Sequence, residues 1–271
     1  MENILNKQVC VVIPIYKDKI SRYEKLSIDL IEKRLFCYDI YFITHRKLSL
    51  EEYKQYKNIK IVYFPKRYFL NTTTYSRLLL KESFYKKFLG YKYMLIVQND
   101  ALILGDAGIL KGIMKKNFDF WGASWEKPVE ICSFEIEKNL KKKINNICPI
   151  WLQKQIFKNP RKCYVGNGGL SLRNINKTIK LLREKRLYAK IWLDNEDKFF
   201  AYHGLFNHVG YRIAPENLVD QFSLESRIRY LEDIKPFGLH GWDRIGFTYV
   251  LNYLRKTNIY NKHRIEKREI C

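Results

Sequence analysis

The most constraining feature of this chain is VCVVIPIY (9–16), an apolar, β-branched run that shows no alternation of polar and apolar positions. A strand of that kind is buried on both faces, which requires a sheet covered by helices on each side. From Tyr23 to Leu35, the positions Leu26, Leu30, Ile31 and Leu35 recur at helical spacing, and YDIYFITH (38–45) follows as a second strand. NIKIVYFP (58–65) supplies a third strand, the run from Tyr75 to Leu89 a helix, and YKYMLIVQND (91–100) a fourth strand that turns polar at its C-terminal end. FDFWGASW (118–125) is predicted as a strand. Asn174 is expected to cap a helix through Leu182, and 195–210 to form another. YRIAPE (211–216) is expected to be a short strand and PFGLHGW (236–242) a loop. This alternation predicts an α/β fold with a Rossmann-like, mostly parallel central sheet flanked by helices and with ligands at the carboxyl ends of the strands.

A length of 271 residues with 46% hydrophobic and 15% aromatic residues is ample for a buried core and excludes a disordered chain. The expected organisation is a domain over 1–246, interrupted at about 126–162 by a basic insertion, then an aromatic and basic tail over 247–271. Lys141, Lys142, Lys143, Lys154, Lys158, Arg161 and Lys162 define that insertion. Fifty Lys and Arg against 28 Asp and Glu leave a formal charge of +22, so anionic partners are expected, although a residue-composition bias explains the charge about equally well. Six cysteines without a C-x-x-C pair are expected to be reduced thiols. The polar first residues do not form a signal peptide and no apolar stretch is long enough to span a bilayer, so the expected location is cytoplasmic, with room for peripheral attachment to the inner membrane face.

Four groups of residues can carry chemistry. Gln98, Asn99 and Asp100 stand where a hydrophobic strand delivers its polar end, and a carboxylate there can ligate a hard divalent cation or simply turn the chain. Gly166, Gly168 and Gly169 lie within four positions of one another, in a bend that allows close backbone approach to a ligand or serves as a tight structural turn. Glu196 and Asp197 begin a helix, where carboxylates are either caps or, directed into a cleft, a general base with its partner. His240 sits between glycine-containing segments, where it can reach a metal or a diphosphate, and the planes of Trp242 and Trp125 are candidates for packing on a sugar acceptor.

The ordered set VVIPIY, VQNDALIL, FDFWGASW, VGNGGLSLRN, NEDKFFAYHG and PFGLHGW resembles the GT-A glycosyltransferases. More narrowly, it is similar to a bacterial group of glycosyltransferase-like proteins found with surface-polysaccharide genes. The resemblance implies transfer of a sugar from a nucleotide-sugar donor to a glycan or lipid-linked acceptor. It places the donor against Pro14, Ile15, Tyr16, Gln98, Asn99, Asp100, Gly168 and Gly169. By similarity to inverting members, Asp197 would be the base and Glu196 an acceptor-binding partner. Asp100 and His240 would hold manganese or magnesium, except that Gln98 stands where the Asp-x-Asp motif has its first carboxylate, which leaves metal dependence open.

Two other readings start from the charge. A nucleic-acid-binding protein would pair phosphate contacts with stacking on Tyr and Phe, yet the basic residues are scattered and no such motif is present, so no specific nucleic acid is expected. A membrane-surface module would rest residues 138–162 and the tail from Lys256 to Arg268 on anionic lipid, which is compatible with a lipid-linked acceptor.

Overall fold

The computed structural model describes residues 7–131, 161–192, 194–244 and 246–259. Along the chain, β1 (Lys7–Pro14), β2 (Asp39–Thr44), β3 (Lys60–Tyr63), β4 (Tyr91–Val97) and β5 (Ala101–Ile103) precede two long strands, β6 (Phe120–Ile131) and β7 (Arg161–Asn174). The short strands β8 (Ser223–Leu224) and β9 (Gly238–His240) follow. Among the described residues, one sheet has the order β3-β2-β1-β4-β7-β6 and a smaller one the order β5-β9-β8. β1 to β4 run parallel, whereas β7 is antiparallel to β4 and β6 antiparallel to β7.

The lack of alternation in β1 and β4 has a direct cause. Val9, Val11 and Ile13 join Tyr93, Leu95 and Val97 in the core on one face. Cys10 and Val12 join Met94 and Ile96 on the other, so both faces exclude water. Helix α1 (Arg22–Arg34), started by a Ser21–Glu24 capping box, lays Ile28 and Ile31 on the first face. Helices α2 (Thr72–Leu79) and α3 (Glu82–Lys86) cover the second face with Leu78, Leu79, Phe84 and Tyr85. They replace the single helix expected from Tyr75 to Leu89, because Lys81 is extended (φ −109°, ψ 129°) while Leu80 and Phe84 both remain buried.

Helix α4 (Ala107–Lys115) returns to the first face, and α5 (Ile175–Glu184), capped by the Asn174 side chain, lies on the second. After α6 (Arg186–Ile191) and α7 (Glu196–Leu205), α8 (Glu216–Phe222), α9 (Leu231–Ile234) and α10 (Phe247–Lys256) complete the described helices. The expected loop at 236–242 contains β9, which pairs with β5. Gly238 permits this, since a Cβ there would lie 2.6 Å from the Leu102 carbonyl oxygen. YRIAPE contributes a single bridge, Ile213 to Phe120. Of the expected insertion, 126–131 continue β6 and Arg161 and Lys162 begin β7, while 132–160 lie outside the described residues, as do 260–271 of the tail. The membrane contacts expected at 138–162 and from Lys256 to Arg268 therefore fall mostly outside them, with 161–162 and 256–259 inside. Cys10, Cys37 and Cys163 are free thiols. Among the described residues no helix is long and apolar enough to cross a membrane.

One charge lies inside this framework. Arg173 of β7 is fully buried, with its NH2 nitrogen 2.8 Å from Glu196 Oε1 and its NH1 nitrogen 2.9 Å from the Tyr85 hydroxyl. Its Nε donates to Ser171 Oγ at 3.1 Å, and the guanidinium lies 4.9 Å from the Phe200 ring centre. The pair thus fastens the sheet to α7 and α3. Replacing Arg173 by Met strands a buried carboxylate, and the expected loss is about 3–5 kcal/mol of unfolding free energy in guanidinium titrations.

Candidate active site

The carboxyl ends of β1 and β4, the middle of β7, the start of α7 and the end of β9 open onto one cleft of about 460 Å³. Pro14, Tyr16, Gln98, Asn99, Asp100, Gly168, Gly169, Glu196, Asp197 and His240 all line it, together with Asn71, Thr72, Tyr75 and Ser76 at the start of α2. Backbone bonds lock the walls together. The Gln98 N–H donates to the Gly169 carbonyl at 2.8 Å, and the Gly241 N–H to the Asp100 carbonyl at 2.9 Å. A glycine is required at two of these approaches. A Cβ at Gly122 would stand 2.3 Å from the Asn167 carbonyl oxygen, and one at Gly169 would stand 1.9 Å from His240 Nε2.

At one end of the cleft, His240 lies between two carboxylates. Its Nδ1 is 3.1 Å from Glu225 Oε1, and its Nε2 is 3.3 Å from Asp100 Oδ1 without the alignment of a hydrogen bond. Burial alone would lower the imidazole pKa, but Asp100 and Glu225 outweigh it and raise the value to about 9. Burial conversely opposes ionisation of Asp100, yet His240 and Arg244 hold it below the usual carboxylate range. Arg244 reaches Asp100 Oδ2 at 2.8 Å from an exposed position. Glu225 also accepts from Asn167 Nδ2, whose Oδ1 accepts the Gly169 N–H at 3.0 Å, so the imidazole and the glycine bend form one network.

At the other end, both Glu196 oxygens are bonded, Oε1 to Arg173 and Oε2 to Ser76 Oγ at 2.7 Å. Through these bonds it holds α7 against β7 and α2, while remaining part of the cleft lining. Asp197, partly buried beside it, accepts among the described residues the backbone N–H groups of Lys198 at 2.7 Å and Gly168 at 3.3 Å. Burial and then the neighbouring Glu196 charge raise its pKa to about 7, against the opposing pull of the Lys198 N–H and Arg173.

Three further expectations change. The Ile15 side chain is fully buried in the core, leaving Pro14 and Tyr16 as the β1 residues on the cleft. Trp242 is fully buried among Leu102, Leu239 and Val250, with Phe247 stacked at 5.8 Å, so it is core and not a sugar platform. Trp125 packs against the second core face beside Gly166 and does not line the cleft. Sequence reasoning missed Tyr75, Ser76, Glu225, Arg173 and Arg244, and it placed Asn167 in the glycine bend without a role of its own. Only Arg173 left a signal, as a lone cation in the apolar strand LSLRN that had to find a buried partner.

Among solved structures, mouse xyloside xylosyltransferase 1 in its apo form matches with a TM-score of 0.50 at 8% identity, covering 88% of this chain and 98% of that one. The galactosyltransferase LgtC, in complex with donor and acceptor sugar analogues, matches with a TM-score of 0.49 at 16% identity over 92% of this chain and 94% of its own. The fold is that of the GT-A glycosyltransferases. Residues 58–240 match the family described as protein of unknown function DUF5672, and the chain belongs to it. No curated protein matches the chain by sequence.

The contact at Gly169 is directly testable. Gly169→Ala drives a methyl group into the His240 ring, with an expected cost of about 1–3 kcal/mol in chemical denaturation. Adding His240→Ala opens the space, so the double variant is expected to lose less than the sum of the two single losses.

Proposed function

We propose that the protein transfers a sugar from a nucleotide-sugar donor to a glycan or lipid-linked acceptor, in the manner expected of surface-polysaccharide synthesis. The supporting observation is convergence: Asp100, the Gly168–Gly169 bend and Asp197, far apart in sequence, line one cleft at the ends of the strands. The donor diphosphate belongs at the Asp100, His240 and Arg244 end. The imidazolium and guanidinium there offer positive charge to the departing diphosphate. The bare backbone at Gly168 and Gly169 lets His240 and Asp197 close on the bend from either side, which brings both groups to the sugar in this reading.

As an alternative to that imidazolium, the residues present suit a divalent cation, manganese or magnesium, which would take the place of the Nε2 proton of His240. His240 Nε2 is buried without a hydrogen-bond partner and faces Asp100 Oδ1 at 3.3 Å, while Glu225 holds the ring from behind. Asp100 and His240 would be the protein's two ligands, since no group of three His, Cys, Asp or Glu side chains is arranged to hold an ion among the described residues. Once bound, such an ion neutralises charge on the leaving diphosphate. Gln98 lines the same end as a neutral amide, which leaves the protein one charge short of an Asp-x-Asp pair.

Asp197 is the base in this reading. Its backbone hydrogen bonds fix the carboxylate, and its raised pKa suits removal of a hydroxyl proton near neutrality. Direct attack by the hydroxyl so activated inverts the anomeric configuration.

Asp197→Asn is expected to lower transfer by about 10²–10⁴-fold while nucleoside diphosphate still binds and the melting temperature holds; unimpaired turnover in that variant removes the base assignment. The raised pKa means that the basic form accumulates as pH rises, so kcat/KM should climb through about pH 7 and fall again above about pH 9, where His240 loses its positive charge. Screening the purified chain against sugar nucleotides, with and without manganese, identifies the donor, and a product of retained configuration excludes direct displacement.

A further inference from the structure

We infer that the exposed face of α6 docks on an anionic lipid bilayer and holds the cleft beside it. Leu187 is 76% exposed and Ile191 is 53% exposed, an i, i+4 pair that makes an apolar stripe on the outside of the molecule. No residue of α6 is buried, so the stripe has no core to cover. Arg186 and Lys190, each one position before an apolar residue, are exposed and have no ion-pair partner among the described residues. An apolar stripe bordered by cations is the chemistry of a helix lying in the headgroup region of a membrane.

The charge pattern selects the occupant. A second copy of the chain would bring the same cationic border against this one, on molecules that each carry +22. An anionic lipid surface complements that border, and its acyl chains accept Leu187 and Ile191.

The helix is firmly attached to the cleft. Trp192, directly after α6, is 6% exposed, its ring centre lies 5.4 Å from that of Phe199, and its Nε1–H donates to the Asn195 carbonyl at 3.0 Å. On the inner side, the Tyr188 ring meets the His203 ring edge-on at 6.2 Å. Asn195 lines the cleft four residues after Ile191, a stretch that spans at most about 14 Å. A docked α6 therefore brings the cleft to the level of the headgroups. The docking stands on the surface alone; its consequence, an acceptor presented from the membrane, rests on the proposed transfer reaction.

The full chain should co-sediment with vesicles of equal parts phosphatidylglycerol and phosphatidylcholine and remain in the supernatant with phosphatidylcholine alone. Leu187→Asp with Ile191→Asp, and separately Arg186→Glu with Lys190→Glu, should each weaken binding by about tenfold or more. Melting temperature and nucleoside diphosphate affinity are expected to stay unchanged in both, which separates a lost surface from a lost fold and keeps the outcome independent of the transfer reaction. Undiminished sedimentation of both variants, or equal binding to neutral vesicles, overturns the proposal. So does a concentration-dependent dimer that Leu187→Asp with Ile191→Asp abolishes while vesicle binding persists, since the face then belongs to a second copy.

Discussion

Everything around the cleft depends on a guanidinium that water cannot reach. Arg173 sits in β7, directly across from Met94 of β4, and can remain charged there only because Glu196, Tyr85 and Ser171 surround it. Such a pair is a weak source of net stability, because desolvation cancels much of the attraction. Its value lies in direction. Glu196 occupies the first turn of α7, so satisfying Arg173 fixes where that helix begins and how the next residue, Asp197, faces. The same pair tunes Asp197 from both sides, the Glu196 charge resisting its ionisation and the Arg173 charge favouring it. A structural ion pair and a titrating carboxylate are thus consecutive parts of one electrostatic unit.

The second constraint is close approach of backbone. Gly122, Gly169 and Gly238 each stand where a side chain would collide with a neighbour at 2.6 Å or less. Through them, β6 closes on the glycine bend, His240 closes on β7, and β9 closes on β5. His240 is consequently the last residue of a paired strand, with its register fixed opposite Ala101. That rigidity is what makes the 3.3 Å separation from Asp100 meaningful, since a ring on a free loop would sample many separations.

The sequence was most legible where one physical signal dominated. β1, β2, β3 and β4 followed from apolar runs, α1 from its apolar spacing and α5 from the cap at Asn174. The turn from apolar to polar at Gln98 located one wall of the cleft. Legibility failed where the deciding contact was distant along the chain. Gly238 lies more than a hundred residues from Leu102, so nothing local announced β9, and PFGLHGW read as a loop. Trp242 looked like a platform because a Trp beside a glycine-flanked His is equally consistent with exposure and with burial; the apolar face of α10 decided for burial. Glu225 and Arg244 carry no local pattern at all, and they acquire meaning only through His240 and Asp100.

A net charge of +22 sits uneasily with a cleft that gathers Asp100, Glu196 and Asp197. The resolution is spatial. Inside, each carboxylate is held by a specific partner: Asp100 by His240 and Arg244, Glu196 by Arg173, and Asp197 by backbone N–H groups. Among the described residues no lysine or arginine except Arg173 is buried, so their charge is screened by water within about 10 Å at ordinary ionic strength. Surface charge of that range cannot select among ligands, but it can draw an anionic donor or an anionic lipid toward the molecule before any contact is made. Selection then falls to the few buried groups whose geometry the glycines and the Arg173–Glu196 pair hold in place. Attraction and discrimination are thereby separated, the first spread over the surface and the second concentrated at the strand ends.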